Sequence, residues 1–152
     1  MSAGKSTLLQ NFILSLEKLT YTHTKFPTTK VILISPSNES ANAMQKICSQ
    51  KKFIFHSFKF IPSLEVLTKN QSEGNVHTII CFEDFSSQMN YSSKDYNRKL
   101  TAFLHKSRHM NISLITILHS IRHALSDRSS FERNFLDNCS GKLYFLNFST
   151  IK

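Results

Sequence analysis

Ser2-Ala3-Gly4-Lys5-Ser6-Thr7-Leu8-Leu9 stands at the start of the chain, and its reading decides the fold. A phosphate-binding loop (P-loop) needs a glycine that lets backbone N–H groups close on phosphate oxygens. It also needs a lysine that reaches the β/γ-phosphates and a hydroxyl that holds Mg²⁺. Gly4, Lys5 and Ser6 fill those three roles, with Thr7 beside them as a further nucleotide-binding candidate. The full pattern, G-x-x-x-x-G-K-[ST], puts its first glycine ahead of Met1, so the sequence displays the back half of the motif. A P-loop leads into a helix, and one is expected here: Leu9, Phe12, Ile13 and Leu16 recur at i, i+3, i+4 and i+7. Gly-Lys-Ser also arises by chance, and an ordinary amphipathic helix after a polar start is the plain alternative. The rest of the chain has to decide between them.

Its 152 residues are one domain's length, with 40% hydrophobic residues, 13 Phe and only 3 Gly and 3 Pro. That composition is globular and excludes a disordered chain. No apolar run reaches a membrane span and no signal peptide is evident, so a soluble, intracellular protein is expected, with no membrane partner. Nineteen Lys+Arg against ten Asp+Glu leave a formal charge of +9, which favours a polyanionic partner such as nucleic acid. A solvated basic surface is the bland reading of the same number. Cys48, Cys81 and Cys139 show no C-x-x-C spacing and read as reduced, mostly buried thiols, with zinc disfavoured. The histidine pairs 105/109 and 119/123 have helical spacing but no third ligand beside them.

Going outward from the loop, strands and helices alternate. Lys30-Val31-Ile32-Leu33-Ile34-Ser35 is a continuous apolar run stopped by Pro36, as in a parallel strand covered on both faces. Ser37 to Ser40 offer N-cap residues for a helix over 41–50. Residues 53–58 read as a weaker strand. Pro62 can open a helix that continues over 64–69. A loop over 70–75 leads to Val76-His77-Thr78-Ile79-Ile80-Cys81-Phe82-Glu83-Asp84, an apolar strand running into two adjacent carboxylates. This is the form of a Walker B strand: a buried strand fixes carboxylates beside the phosphate loop, one to hold Mg²⁺ and the other to orient the attacking water. A helix over 94–108, a strand over 112–118, a basic segment over 122–130, a short helix over 131–138 and a last strand over 142–148 complete the pattern. The expected fold class is α/β, a mostly parallel sheet flanked by helices, in a single domain spanning 1–152.

Ser107-Arg108-His109-Met110-Asn111-Ile112-Ser113-Leu114-Ile115 is more specific. This block, following the acidic pair and a helix, resembles the genome-packaging ATPases of the FtsK/HerA type, in the branch of poxvirus-like viruses and Maverick/Polinton elements. The resemblance extends to the partial Walker A, the acidic strand end and Arg133-Asn134-Phe135-x-x-Asn138. It implies a P-loop NTPase of the ASCE type that couples ATP hydrolysis, with Mg²⁺, to movement of double-stranded DNA. Such a protein works as a homo-oligomeric ring in host cytoplasm or nucleus, or in the virion. On that resemblance Gly4, Lys5, Ser6 and Thr7 bind the nucleotide, and Ser6 with Glu83 holds the metal. Glu83 and Asp84 serve Mg²⁺ and water, His119 stands where the family's γ-phosphate sensor, typically glutamine, ends a strand, and Arg133 matches a position for an arginine finger.

Three departures weigh against activity: the order Glu83 then Asp84, the replaced sensor, and the strand expected before the P-loop. In the ASCE arrangement that strand lies between the strand ending at Leu118 and the last one. Its lack would leave sheet edges unpaired and remove phosphate-binding N–H donors. The expectation is therefore an ATPase domain incomplete at its N-terminus whose 152-residue chain binds ATP poorly. Micromolar binding would contradict it. A non-enzymatic basic nucleic-acid-binding module that keeps a degenerate P-loop fold is the second reading. A small kinase is a third, without an evident acceptor site. Lys51, Lys52, Lys99, Lys106, Arg108 and Arg122 are candidate DNA phosphate contacts, and the phenylalanines read mainly as core.

Overall fold

The central strands form because their residues are apolar on both sides, which only a sheet covered on two faces can satisfy. The computed structural model describes residues 4–16, 28–69, 76–83 and 94–117. Asp84, His119, Arg122, Arg133 and Cys139, with the expected helix over 131–138 and strand over 142–148, lie outside the described residues. Strand β1 (Thr28–Ile34) buries Val31 through Ile34, and β3 (Val76–Glu83) buries every residue from Thr78 to Glu83. With β2 (Ile54–Phe58) and β4 (Ile112–Ile117) they make a four-stranded sheet in the order β2-β1-β3-β4, with every pairing parallel.

Helices cover both faces. Odd-numbered strand residues Val31, Leu33, Ile79 and Cys81 pack under α1 (Lys5–Leu14) and α2 (Asn38–Lys51), through Leu9, Ile13, Leu16, Met44 and Cys48. Even-numbered residues Ile32, Ile34, Ile80 and Phe82 pack under α3 (Leu64–Thr68) and α4 (Lys94–Ser107), through Leu67, Leu100 and Phe103. Each fully buried Leu, Ile or Phe of these two layers contributes about 1.5–3 kcal/mol relative to exposure. The period-2 division of the strands between two helix layers is what makes one apolar run serve two cores. Thr116 Oγ1 is buried without a hydrogen-bond partner among the described residues. By strand alternation it faces the α3/α4 layer.

Helix ends follow local chemistry. Residues 38–40 are helical, earlier than the expected start at Ala41, because the Ser37 side chain accepts the Ser40 N–H at 3.2 Å and caps α2 at Ser37. At its far end, Lys52 adopts a left-handed φ of 57° and returns its N–H to the Ser49 carbonyl. Pro62 does not open α3. Ser63 caps that helix instead, accepting the Val66 N–H, so the proline sits one residue outside the cap. The tight entry into β4 is made by a 3-10 turn over Arg108–Met110 and by Asn111 at φ 56°, whose carbonyl accepts the Thr78 N–H at 3.0 Å. Asn is among the few side chains that tolerate that backbone region.

The phenylalanines divide. Phe82 and Phe103 are buried and Phe53, Phe55 and Phe58 pack against the two cores, whereas Phe60 is 67% exposed and Phe12 39%. Reading them as core therefore holds for the strand and α4 positions and not for Phe60, which stands in the connection after β2. Among the described residues no helix is long and apolar enough to cross a membrane.

Candidate functional site

The sheet's own topology marks one place for chemistry. From β1 the chain runs over one face to β2, and from β3 over the other face to β4, so the direction of winding reverses between β1 and β3. Open parallel sheets leave a crevice at such a reversal, outside the carboxyl ends of the strands. The groups that meet at this end are Glu83, the last residue of β3, and hydroxyls from the first turns of α1 and α2.

Glu83 is 6% exposed, and its odd position turns it toward the α1/α2 layer. The Ser6 hydroxyl donates a hydrogen bond to Glu83 Oε1 across 77 residues of sequence. Ser40 Oγ donates to the same oxygen at 3.3 Å. A buried carboxylate is costly to strand without donors, and these two hydroxyls supply them. The structure thus brings together two sequence-predicted site residues, Ser6 and Glu83, and adds Ser40, which sequence reading assigned only to a helix cap. Its signal is tertiary: nothing in Ser37-Asn38-Glu39-Ser40 announces a contact with a residue 43 positions later.

Gly4 begins α1 in the left-handed region, at φ 76°, and gives the helix no side-chain cap. A Cβ at Gly4 would meet nothing within 4 Å, so what favours glycine there is the backbone angle and not crowding. Lys5 and Ser6 follow it, half-buried, and Thr7 is exposed. The first turn of α1 therefore stands at the same end of the sheet as Glu83. Asp84, His119 and Arg133 lie outside the described residues.

Cys81 lies two residues before Glu83 on the same face, in the cluster that holds Cys48. Burial pushes the Cys48 thiol up to about 11 and raises Cys81 further, with Cys48 and Glu83 adding to the effect. Both are protonated core thiols without nucleophilic character. Burial lowers the pKa of His77 at the opposite end of β3, where Nε2 lies 2.8 Å from Ser113 Oγ across the β3–β4 pair. His56, His105 and His109 are exposed, and no group of three or more His, Cys, Asp or Glu able to hold a metal occurs among the described residues.

The candidate nucleic-acid contacts are scattered. Lys52 and Lys106 are exposed, while Lys99 and Arg98 pair with Asp95 at 3.1 and 3.0 Å on the outer side of α4. Lys99 and then Arg98 hold the Asp95 carboxyl below its ordinary range. Such exposed pairs contribute little and exchange readily with solvent ions.

No protein-family model matches the chain, and a search of curated proteins finds no relative. What the fold defines is an α/β domain with a four-stranded, all-parallel sheet flanked by helices, of a kind compatible with Rossmann-like and P-loop folds.

Proposed function

We propose that this chain is the nucleotide-binding domain of a P-loop ATPase that drives translocation or packaging of double-stranded DNA. The observation that carries the reading is the hydrogen bond from Ser6, two residues after the loop glycine, to Glu83, at the end of a buried strand. A phosphate-loop hydroxyl meeting a strand-end carboxylate is the pair that an Mg²⁺–nucleotide site requires. The residues suit that ion: hydroxyl and carboxylate oxygens are hard donors, and Mg²⁺ is commonly held by one or two carboxylates with the remaining positions taken by substrate phosphates and water. When bound, Mg²⁺–ATP supplies the phosphoryl group and the charge neutralisation of its transfer.

The chain's own residues then have separable tasks. Backbone N–H groups after Gly4 receive phosphate oxygens, and Lys5 carries positive charge to them. Ser6 would keep its hydroxyl hydrogen directed at Glu83 Oε1 and offer its oxygen to the cation. Glu83 would hold the cation or its water, and Asp84, next in sequence, would supply a second carboxylate for the attacking water. His119 as sensor and Arg133 as a finger reaching a neighbouring subunit of a ring rest on the family resemblance. The +9 charge supports a DNA partner.

The test is ATP hydrolysis by the chain, with and without double-stranded DNA. Hydrolysis raised by DNA is the expected result. DNA binding without hydrolysis would favour the non-enzymatic module.

A further inference from the structure

Resting on the nucleotide-site reading, we infer that Ser40 is a positioning residue for the metal: it fixes the Glu83 carboxylate so that one defined oxygen faces the cation. A carboxylate oxygen has two lone pairs. At Glu83 Oε1 both are taken, one by the Ser6 hydroxyl and one by Ser40 Oγ at 3.3 Å. Among the described residues Oε2 has no hydrogen-bond partner and is the oxygen left for a cation or its water.

The need for a second donor follows from the residue at this position. Glutamate carries one more rotatable bond than aspartate, so a strand end that fixes its backbone leaves its carboxylate free to swing. A donor from one side, on α1, fixes a distance. A second donor from α2 fixes the plane. Ser40 is itself anchored, because its backbone N–H is held at 3.2 Å by the Ser37 cap, and Ser37 N–H in turn donates to Ser35 Oγ at 3.2 Å. Ser35 is 4% exposed at the end of β1, where its N–H donates to the Phe58 carbonyl of β2 at 2.9 Å. The second hydroxyl is thus tied through a chain of hydrogen bonds to the sheet itself. Groups that orient metal-binding carboxylates in this way typically govern affinity for the ion although they do not touch it.

The experiment uses the 152-residue chain with ATP in large excess, which populates even a weak site, and Mn²⁺ as a paramagnetic stand-in for Mg²⁺. Mn²⁺ is titrated while the amide NMR signals of Ser6, Ser40 and Glu83 are followed. In the wild-type chain these signals broaden selectively. Ser40→Ala is expected to require about ten-fold more Mn²⁺ for the same broadening at Ser6 and Glu83, with amide positions remote from the site unchanged. Ser40→Thr, which keeps the hydroxyl, is expected to restore the wild-type titration. An unchanged titration in Ser40→Ala overturns the role of Ser40 and leaves the nucleotide site standing. Absence of selective broadening in the wild type itself overturns the nucleotide site, and this inference with it. A general loss of dispersed signals in Ser40→Ala that Ser40→Thr also shows would make Ser40 a merely structural residue.

Discussion

Lys5→Ala is expected to remove ATP hydrolysis while leaving the fold intact. The expected fall in kcat is about 10²–10³-fold, the scale of removing one preorganised charge from a developing transition state. Lys5 lies in the first turn of α1, half-buried, where alanine is the better helix former. The variant is therefore expected to remain folded, with a cooperative thermal transition. DNA binding should be nearly unchanged, because one lysine among nineteen Lys+Arg is lost. Hydrolysis that survives Lys5→Ala would remove the phosphate-loop assignment.

Phe82→Ala has the largest expected effect on stability. Phe82 is fully buried in β3, an interior strand, and belongs to the cluster of Ile34, Ile80, Leu67, Leu100 and Phe103 beneath α3 and α4. Truncating a buried phenylalanine costs about 3–5 kcal/mol, from lost transfer energy and the cavity left behind. Native domains hold only about 5–15 kcal/mol, so the variant loses a large part of its margin, and its melting temperature should fall by roughly 10 °C. Phe60→Ala is the matched control: at 67% exposure it should change stability by less than about 0.5 kcal/mol. Equal losses in thermal melts of the two variants would contradict the division of the phenylalanines between core and surface.

The parts of the fold that could be read from the chain are those dictated by burial. β1 and β3 show continuous apolar runs because both faces are covered, and that pattern also implies parallel pairing. α4 shows Leu100, Phe103 and Leu104 on one side because only that side meets the sheet. β2 is less apolar for a physical reason: it stands at the edge of the sheet formed by the described residues, with Ile54 and His56 exposed. Helix starts were harder to place, because a single hydroxyl decides them. Ser37 and Ser63 set the boundaries of α2 and α3, and neither apolar spacing nor Pro62 reveals which neighbouring polar residue will cap.

Of the candidate site, Gly4, Lys5, Ser6 and Glu83 stand out in the sequence, since a Gly-Lys-Ser turn and an acidic strand end each have a local pattern. That Ser6 and Glu83 touch is a product of the sheet and the helix packed over it. Ser40 carries no such local pattern. Its position depends on the winding reversal between β1 and β3, which brings the start of α2 to the end of β3. The strand order was likewise beyond local patterns, because it depends on which face each crossover takes.

The most direct test of the central claim, that Ser6 and Glu83 form one cation site, is a double-mutant cycle on Mg²⁺-dependent ATP binding. It compares the parent, Ser6→Ala, Glu83→Gln and the double variant, each titrated with ATP in Mg²⁺ and again in EDTA. Each single change is expected to weaken binding in Mg²⁺ by about 10–100-fold, the double variant to be hardly worse than either, and binding in EDTA to be the same for all four. Single effects that simply multiply in the double variant, or losses that persist in EDTA, would mean that the two residues act apart and that their hydrogen bond holds only the fold.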